Sequence, residues 1–105
     1  MKIQVNNQPV SMCIGHLTLY LHLPGCHSLK EKRSVIKSLI AKTQRSFQVA
    51  ASEVGFHERW QESMIVFVSV SNDGQHTQSL LHKLNDFIEE TYPQLVILGQ
   101  YIELL

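Results

Sequence analysis

The stretch from Cys13 to Leu39, CIGHLTLYLHLPGCHSLKEKRSVIKSL, decides the fold of this 105-residue chain. Residues 13–23 alternate between apolar and polar side chains, which is typical of a strand with one buried face. The Pro-Gly pair that follows ends the strand, and apolar residues then recur at helical spacing, as at Leu29, Ile36 and Leu39. The stretch therefore predicts a strand, a turn and an amphipathic helix in this order.

The start of this helix carries the wrong sign of charge for its position. Ser28 and Glu31 form the pattern of a capping box, in which each side chain bonds a backbone N–H at the helix start. Lys30, Lys32 and Arg33 place three cations in the first turn, where the helix dipole disfavours each by about 0.3–1 kcal/mol. Because free N–H groups at a helix start attract anions, these cations predict a phosphate site; the alternative is solvated surface charge. Lys32 falls inside the apolar sector, so we expect its amine to extend out to solvent or to a group outside the domain.

Charge is distributed unevenly along the chain. Nine Lys and Arg balance nine Asp and Glu, but residues 1–50 hold seven of these cations and one acid, whereas residues 51–105 hold two cations and eight acids. If the halves also separate in space, one face attracts an anion such as RNA and the other meets a basic partner or another copy; the alternative is two solvated faces. The predicted nucleic-acid-binding residues all lie on the first helix: Lys30, Lys32, Arg33, Lys37, Lys42 and Arg45.

The remaining patterns complete a single domain. They predict a strand at residues 47–54, a strand over MIVFVSVSN, a helix after Asn-Asp-Gly and a last strand over LVILGQYIELL. On the third strand, the residues assigned to the core face are Met64, Val66, Val68 and Val70. The order β-α-β-β-α-β predicts an α+β, ferredoxin-like fold, with two helices on one face of an antiparallel four-stranded sheet. We assign residues 12–105 to this domain and residues 1–11 to an N-terminal extension, either an extra edge strand or flexible.

The sheet face without helices carries a second candidate site. His16, Tyr20 and His22 point to it from the first strand, and we place Phe67 there from the third. Tyr20 and Phe67 would stack on bases, as in RNA-recognition modules of similar topology, although the basic and aromatic string of those modules is absent. The alternative, which we favour for this face, is the centre of a homodimer interface formed by Ile14, Tyr20, Ile65 and Phe67. We expect Trp60, in a loop, to pack against one end of the core.

The chain lacks the motifs of common enzyme and metal-binding classes. It holds six His, but their spacing does not bring them to one ion, so we predict no metal and no cofactor. GxSxG, HExxH and Gly-rich phosphate loops are absent, which predicts a non-enzymatic protein. The catalytic alternative is a thiol: Cys26, beside His27 and a cation-rich helix start, is a candidate for a lowered pKa.

Cysteine usage and hydropathy indicate the compartment. Cys13 and Cys26 are too far apart for a CxxC motif, and they predict free thiols in a reducing cytosol. The N-terminal segment lacks the apolar core of a signal peptide, and the apolar runs are far shorter than a membrane span. We therefore predict a cytoplasmic protein that does not enter the membrane.

Four segments carry a resemblance to a known family: PGCHSLKEKR, ASEVGFHERWQ, VSND and the closing YIELL. Through them, the chain from Met12 to Leu105 resembles the YlxP-like family of small bacterial proteins of unknown function. The resemblance implies a ferredoxin-like fold. From the frequent neighbourhood of family genes with translation and ribosome-maturation genes, it also implies a role near RNA or the ribosome; it implies no established enzymatic activity. Cys26, where a small or polar residue is expected, and the segment before Met12 depart from the family pattern.

Two hypotheses follow from these observations. The first is a cytoplasmic, non-enzymatic protein that binds RNA or a ribonucleoprotein, such as the ribosome, through its basic first helix. The second is a homo-oligomeric protein–protein interaction module, most simply a dimer.

Overall fold

The computed structural model describes residues 2–105, which form two α-helices and six β-strands. In chain order the elements are β1 (Lys2–Val5), β2 (Gln8–Ser11), β3 (Cys13–His22), α1 (Leu29–Phe47), β4 (Ala50–Gly55), β5 (Glu62–Ser71), α2 (Gly74–Thr91) and β6 (Val96–Leu104). Four strands form one sheet in the order β4-β5-β3-β6, with every neighbouring pair antiparallel, and both helices share one core with it. The predicted α+β class is confirmed, with six strands in place of the four expected.

The two additional strands form a hairpin ahead of the main sheet. Its turn residues Asn6 and Asn7 have φ of 53° and 63°, the left-handed values that a two-residue hairpin turn needs and asparagine tolerates. Ile3 pairs with Val10, and every residue of both strands is exposed. Residues 2–11 therefore pair with each other and do not add an edge strand to the larger sheet. The first residue of the predicted extension lies outside the described residues.

Helix α1 begins where its capping pattern predicts. The backbone N–H of Glu31 donates to Ser28 Oγ at 3.1 Å, and the Glu31 carboxylate accepts from the backbone N–H of His27 at 2.8 Å. Gln48 ends the helix in the left-handed conformation, with φ of 53°. The buried side chains on its inner side are Lys32, Ile36, Leu39 and Thr43. The helix is thus held at both ends and packs on the sheet along one stripe.

Strand β5 faces the opposite way from the sequence-based assignment. Leu17 on β3 lies opposite Phe67 and Leu19 lies opposite Ile65, and all four side chains are fully buried. Because directly opposed residues of an antiparallel pair share a face, Ile65 and Phe67 belong to the core and not to the uncovered face. The residues that were assigned to the core lie on that uncovered face instead: Met64, Val66, Val68 and Val70. Both alternating sets of β5 contain apolar residues, so alternation alone does not select the buried one.

Candidate binding surfaces

The outer side of α1 carries an exposed cationic surface. Lys30, Arg33 and Lys37 are exposed and follow one another at spacings of three and four residues, so they line one side of the helix. We call these three residues the cationic ridge. None of them forms an ion pair within residues 2–105. The ridge starts at the helix N-terminus, where backbone N–H groups also favour an anion.

Lys32 is not part of this surface, and its assignment to a nucleic-acid site is wrong. Its side chain is fully buried. The Nζ atom lies 2.7 Å from a carboxylate oxygen of Glu53 on β4 and donates, at 2.7 Å, to the backbone carbonyl oxygen of Phe56. Lys32 does not reach out of the domain, because an acid inside the domain neutralises it and buried charges require such a partner.

The ion pair joins α1 to β4, and the hydrogen bond from Lys32 to Phe56 joins α1 to the segment between β4 and β5. The Ser63 hydroxyl donates to the Glu53 carboxylate, which therefore has two partners. Phe56 has a φ of 62°, an uncommon value for an aromatic residue, and Lys32 holds its carbonyl group. Lys32 thus acts structurally, by fixing a loop residue.

Lys42 and Arg45 are exposed but lie away from the cationic ridge. At about 100° per residue, Lys42 lies about 150° around α1 from the ridge, and Arg45 lies about 90° from it. The Nζ atom of Lys42 lies 5.4 Å from the centre of the Tyr92 ring, a cation–π contact just after α2. Of the six predicted cations, three form one surface, one is buried and two point elsewhere.

Cys26 lines a groove between the start of α1 and the segment before β6. The groove has a volume of about 700 Å³, and its apolar lining includes Val35 and Leu95. The thiol is buried; burial raises the pKa of Cys26, Glu31 raises it further, and Lys32 opposes the shift without reversing it. The expected lowering of this pKa is therefore wrong in direction, because the loss of solvent outweighs the nearby cation.

Cys26 should react slowly with iodoacetamide. In the variant Cys13→Ser, whose only thiol is Cys26, we expect alkylation at about pH 7.5 to be at least about tenfold slower than that of free glutathione, because little thiolate forms and burial restricts access. Mass spectrometry of the protein over time measures the rate, and the same variant in denaturant is the control. A native thiol that reacts as fast as the denatured one would contradict this protection.

The sheet face that neither helix covers carries an array of rings; we call it the open face. His16, Tyr20 and His22 lie on it. Phe67 does not, since it is fully buried on the helix side, and it can neither stack on a base nor contact a partner. Phe56 occupies the position beside Tyr20 instead: the two rings stack with centroids 5.2 Å apart and planes 25° apart.

A second ring pair extends the array. The centroids of His16 and Tyr101 are 5.7 Å apart, and both residues contact Glu103, His16 Nε2 at 3.3 Å and the Tyr101 hydroxyl at 3.2 Å. The Tyr20 hydroxyl donates to Glu62. These hydrogen bonds raise the pKa of Tyr20 and of Tyr101 above the ordinary value, because the carboxylate stabilises the neutral phenol. The carboxylates of the open face are therefore paired within the chain.

Aliphatic side chains surround the rings of the open face. Val70 is 67% exposed and Tyr101 is 58% exposed, and Val54 and Val96 are exposed as well. None of the strands β3 to β6 contains a lysine or an arginine. The cations of α1 and the rings of the open face therefore lie on opposite sides of the sheet.

Trp60 does not close the core, contrary to expectation, since it is 52% exposed in the loop between β4 and β5. Phe56 and Tyr101 are the ring-bearing residues that the sequence analysis missed. On β6, Tyr101 is exposed and its neighbour Ile102 is half-buried. Because neighbouring residues of a strand point to opposite faces, this alternation places Tyr101 on the open face. No sequence signal marks Phe56, whose position depends on its bond to Lys32.

Across the described part of the chain, no group of three or more His, Cys, Asp or Glu side chains is placed to hold a metal ion. None of the helices in residues 2–105 has the length and apolar character needed to cross a membrane.

Fold and surfaces together define a small α+β protein with a cationic helix on one side and an uncovered, ring-bearing sheet face on the other. The chain belongs to the family described as protein of unknown function (DUF503), whose model matches residues 14–100. It is 34% identical over 68 residues to the uncharacterized protein YlxP of Bacillus subtilis (strain 168), which covers 65% of this chain and 73% of that protein. The resemblance to the YlxP-like family is thereby confirmed.

Among solved structures, the chain is similar to one described as De novo designed protein Foldit4. The TM-score is 0.51, and the match covers 90% of this chain and 97% of that chain. At 10% sequence identity, this likeness concerns the fold alone.

Proposed function

We propose that this protein binds RNA, free or within a ribonucleoprotein, through the cationic ridge of α1. The observation that carries the proposal is that Lys30, Arg33 and Lys37 are exposed and without ion-pair partners within residues 2–105. They start at the end of the helix whose N–H groups favour anions. Phosphate oxygens suit this surface, because arginine binds them in a bidentate way and lysine binds them as a point charge. The function is non-enzymatic, and its place is the cytoplasm.

The cationic ridge contacts the RNA backbone and not the bases. Proteins that bind single-stranded RNA combine cations with stacking rings in one groove, whereas the rings of this chain lie on the opposite side of the sheet. A surface of cations alone binds phosphates, which position a protein but carry no sequence information directly. We therefore expect comparable affinity for RNA duplexes of unrelated sequence.

Removing two lysines of the cationic ridge should flatten the salt dependence of RNA binding. In the double variant Lys30→Gln/Lys37→Gln, the slope of log affinity against log salt concentration should fall by about 2, one for each lost phosphate contact. Fluorescence anisotropy with a labelled RNA duplex of mixed sequence, titrated at several salt concentrations, measures this slope. The matched control Lys2→Gln/Lys83→Gln removes two exposed lysines outside α1 and changes the net charge equally; its slope should stay close to that of the wild type.

Two results would contradict RNA binding by the ridge. If the wild-type chain does not bind the duplex at low salt, the proposed function is wrong. If both double variants lose the same slope, net charge and not the cationic ridge is responsible.

We assign a ferredoxin-like arrangement to the four-stranded sheet. In that arrangement two β-α-β crossovers place the first and third strands of the sheet at its centre. The central position of β3 and β5, with β4 and β6 at the edges, supports the assignment. An experimental structure with another strand order would refute it.

The open face favours a second candidate function, a homo-oligomeric protein–protein interaction module. Exposed aromatic and aliphatic side chains that lie together are typical of contacts between protein chains. Light scattering of the purified protein at high micromolar concentration should give a mass above that of one chain. A monomer under these conditions would count against self-association.

A further inference from the structure

We infer that two copies of this chain pack their open faces together, so that two four-stranded sheets meet across a two-fold axis. The inference rests on the proposed self-association and names the surface responsible for it. A two-fold interface uses the same patch on both copies, so the patch has to be complementary to itself. The size, the charge and the composition of the open face each suit a contact between two identical copies.

The open face is large enough for a stable dimer. Its central strands β3 and β5 have 10 residues each, in a sheet of four strands. At ~3.3 Å per residue and ~4.8 Å between strands, the face measures roughly 30 by 20 Å. It therefore contributes about 600 Å² per copy, and the total of about 1,200 Å² reaches the lower end of the range for stable, specific interfaces.

The charges of the open face favour an identical partner. Glu62 accepts from Tyr20 and lies 3.1 Å from Arg59 Nη1, and Glu103 accepts from Tyr101. Both carboxylates therefore have a hydrogen-bond partner within their own chain, so neither needs a new partner when two copies meet. RNA is disfavoured at this face, because its strands contain no lysine or arginine.

The composition of the open face is that of an interface and not of a solvated sheet. An antiparallel sheet that faces water on one side normally carries polar side chains there. The outward side chains of β5 are mostly apolar instead: Met64, Val66, Val68 and Val70. Beside them lies the stack of Tyr20 on Phe56. Aromatic anchors within an apolar centre are typical of the residues that dominate binding energy between chains.

A valine-to-glutamate substitution, made once on the four-stranded sheet and once on the hairpin, tests this inference. Val70 is 67% exposed on the open face and Val5 is 51% exposed on the hairpin, so neither change to glutamate removes a core side chain. Sedimentation equilibrium of the wild type and of both variants gives the dissociation constant of the dimer. Val70→Glu should raise it about 100-fold or more, because each copy brings a carboxylate into the interface, and Val5→Glu should change it by less than about threefold.

The possible results distinguish two questions: whether the chain forms a dimer at all, and whether the open face forms the interface. A dimer that persists in Val70→Glu overturns the role of the open face while leaving self-association intact, and a dimer lost only in Val5→Glu assigns the contact to the hairpin. A wild type that stays monomeric at high micromolar concentration overturns both proposals. Circular dichroism and urea midpoints check that the proteins are equally folded. If Val70→Glu is not, Tyr101→Lys, at a position 58% exposed on the same face, replaces it.

Discussion

Replacing Lys32 with alanine should lower the free energy of unfolding by about 3 kcal/mol or more, since breaking a buried ion pair by removing one partner typically costs ~3–5 kcal/mol. The change leaves the Glu53 carboxylate, whose side chain is 16% exposed, without its cation. It also removes the donor from the Phe56 carbonyl. A partly buried acceptor that loses its partner keeps part of its desolvation cost, which adds to the loss.

Urea denaturation followed by circular dichroism measures this loss. The matched control is Lys30→Ala, the same substitution two positions earlier on an exposed side chain, for which we expect a change within about 0.5 kcal/mol. The double variant Lys32→Met/Glu53→Leu should recover much of the stability, because apolar residues of similar size often replace a buried pair without loss. Equal effects of Lys32→Ala and Lys30→Ala would show that the ion pair is not buried.

Replacing Phe67 with alanine should destabilise the chain by about 3–5 kcal/mol, as expected for the loss of a large buried ring and the cavity left behind. Phe67 is fully buried on the helix side of β5, opposite Leu17 of β3. The ring therefore belongs to the centre of the core.

The same strand offers the control for this prediction. At a protein concentration low enough to keep the chain monomeric, Val70→Ala, at a position that is 67% exposed on the other face of β5, should change the unfolding free energy by no more than about 0.5 kcal/mol. The urea midpoints of both variants decide the orientation of β5. A large effect at Val70 with a small one at Phe67 would reverse the two faces.

The start of α1 shows which part of the structure local sequence rules predict. Ser28 and Glu31 mark the helix start, and both make the expected kind of capping bond. The excess of cations in the first turn calls for a compensating anion. For Lys32 that anion is Glu53, on a strand that follows the helix, and the pairing arises only when α1 packs on β4. A rule based on neighbouring residues does not contain this contact, so it treated a core residue as a surface residue.

The two central strands differ in how well their faces can be predicted. In β3, leucines occupy one alternating set and polar or aromatic residues most of the other, so the buried face follows from the pattern. In β5 apolar residues occur in both sets, and only the register that places Phe67 opposite Leu17 decides between them. The stacking of Phe56 on Tyr20 could not be predicted from the sequence either, because it depends on contacts between distant segments of the chain.

Under the two proposals above, the opposite placement of the cationic ridge and the open face would allow this chain to hold two ligands at once. Because the sheet lies between them, occupation of one surface does not obstruct the other, and the chain has the layout of an adaptor. In a pair joined at their open faces, with sheets ~10 Å apart, the two ridges point outward in opposite directions. Such a pair would tether two separate RNA segments and would not clamp a single one, and its hold on two linked segments would exceed that of either contact alone.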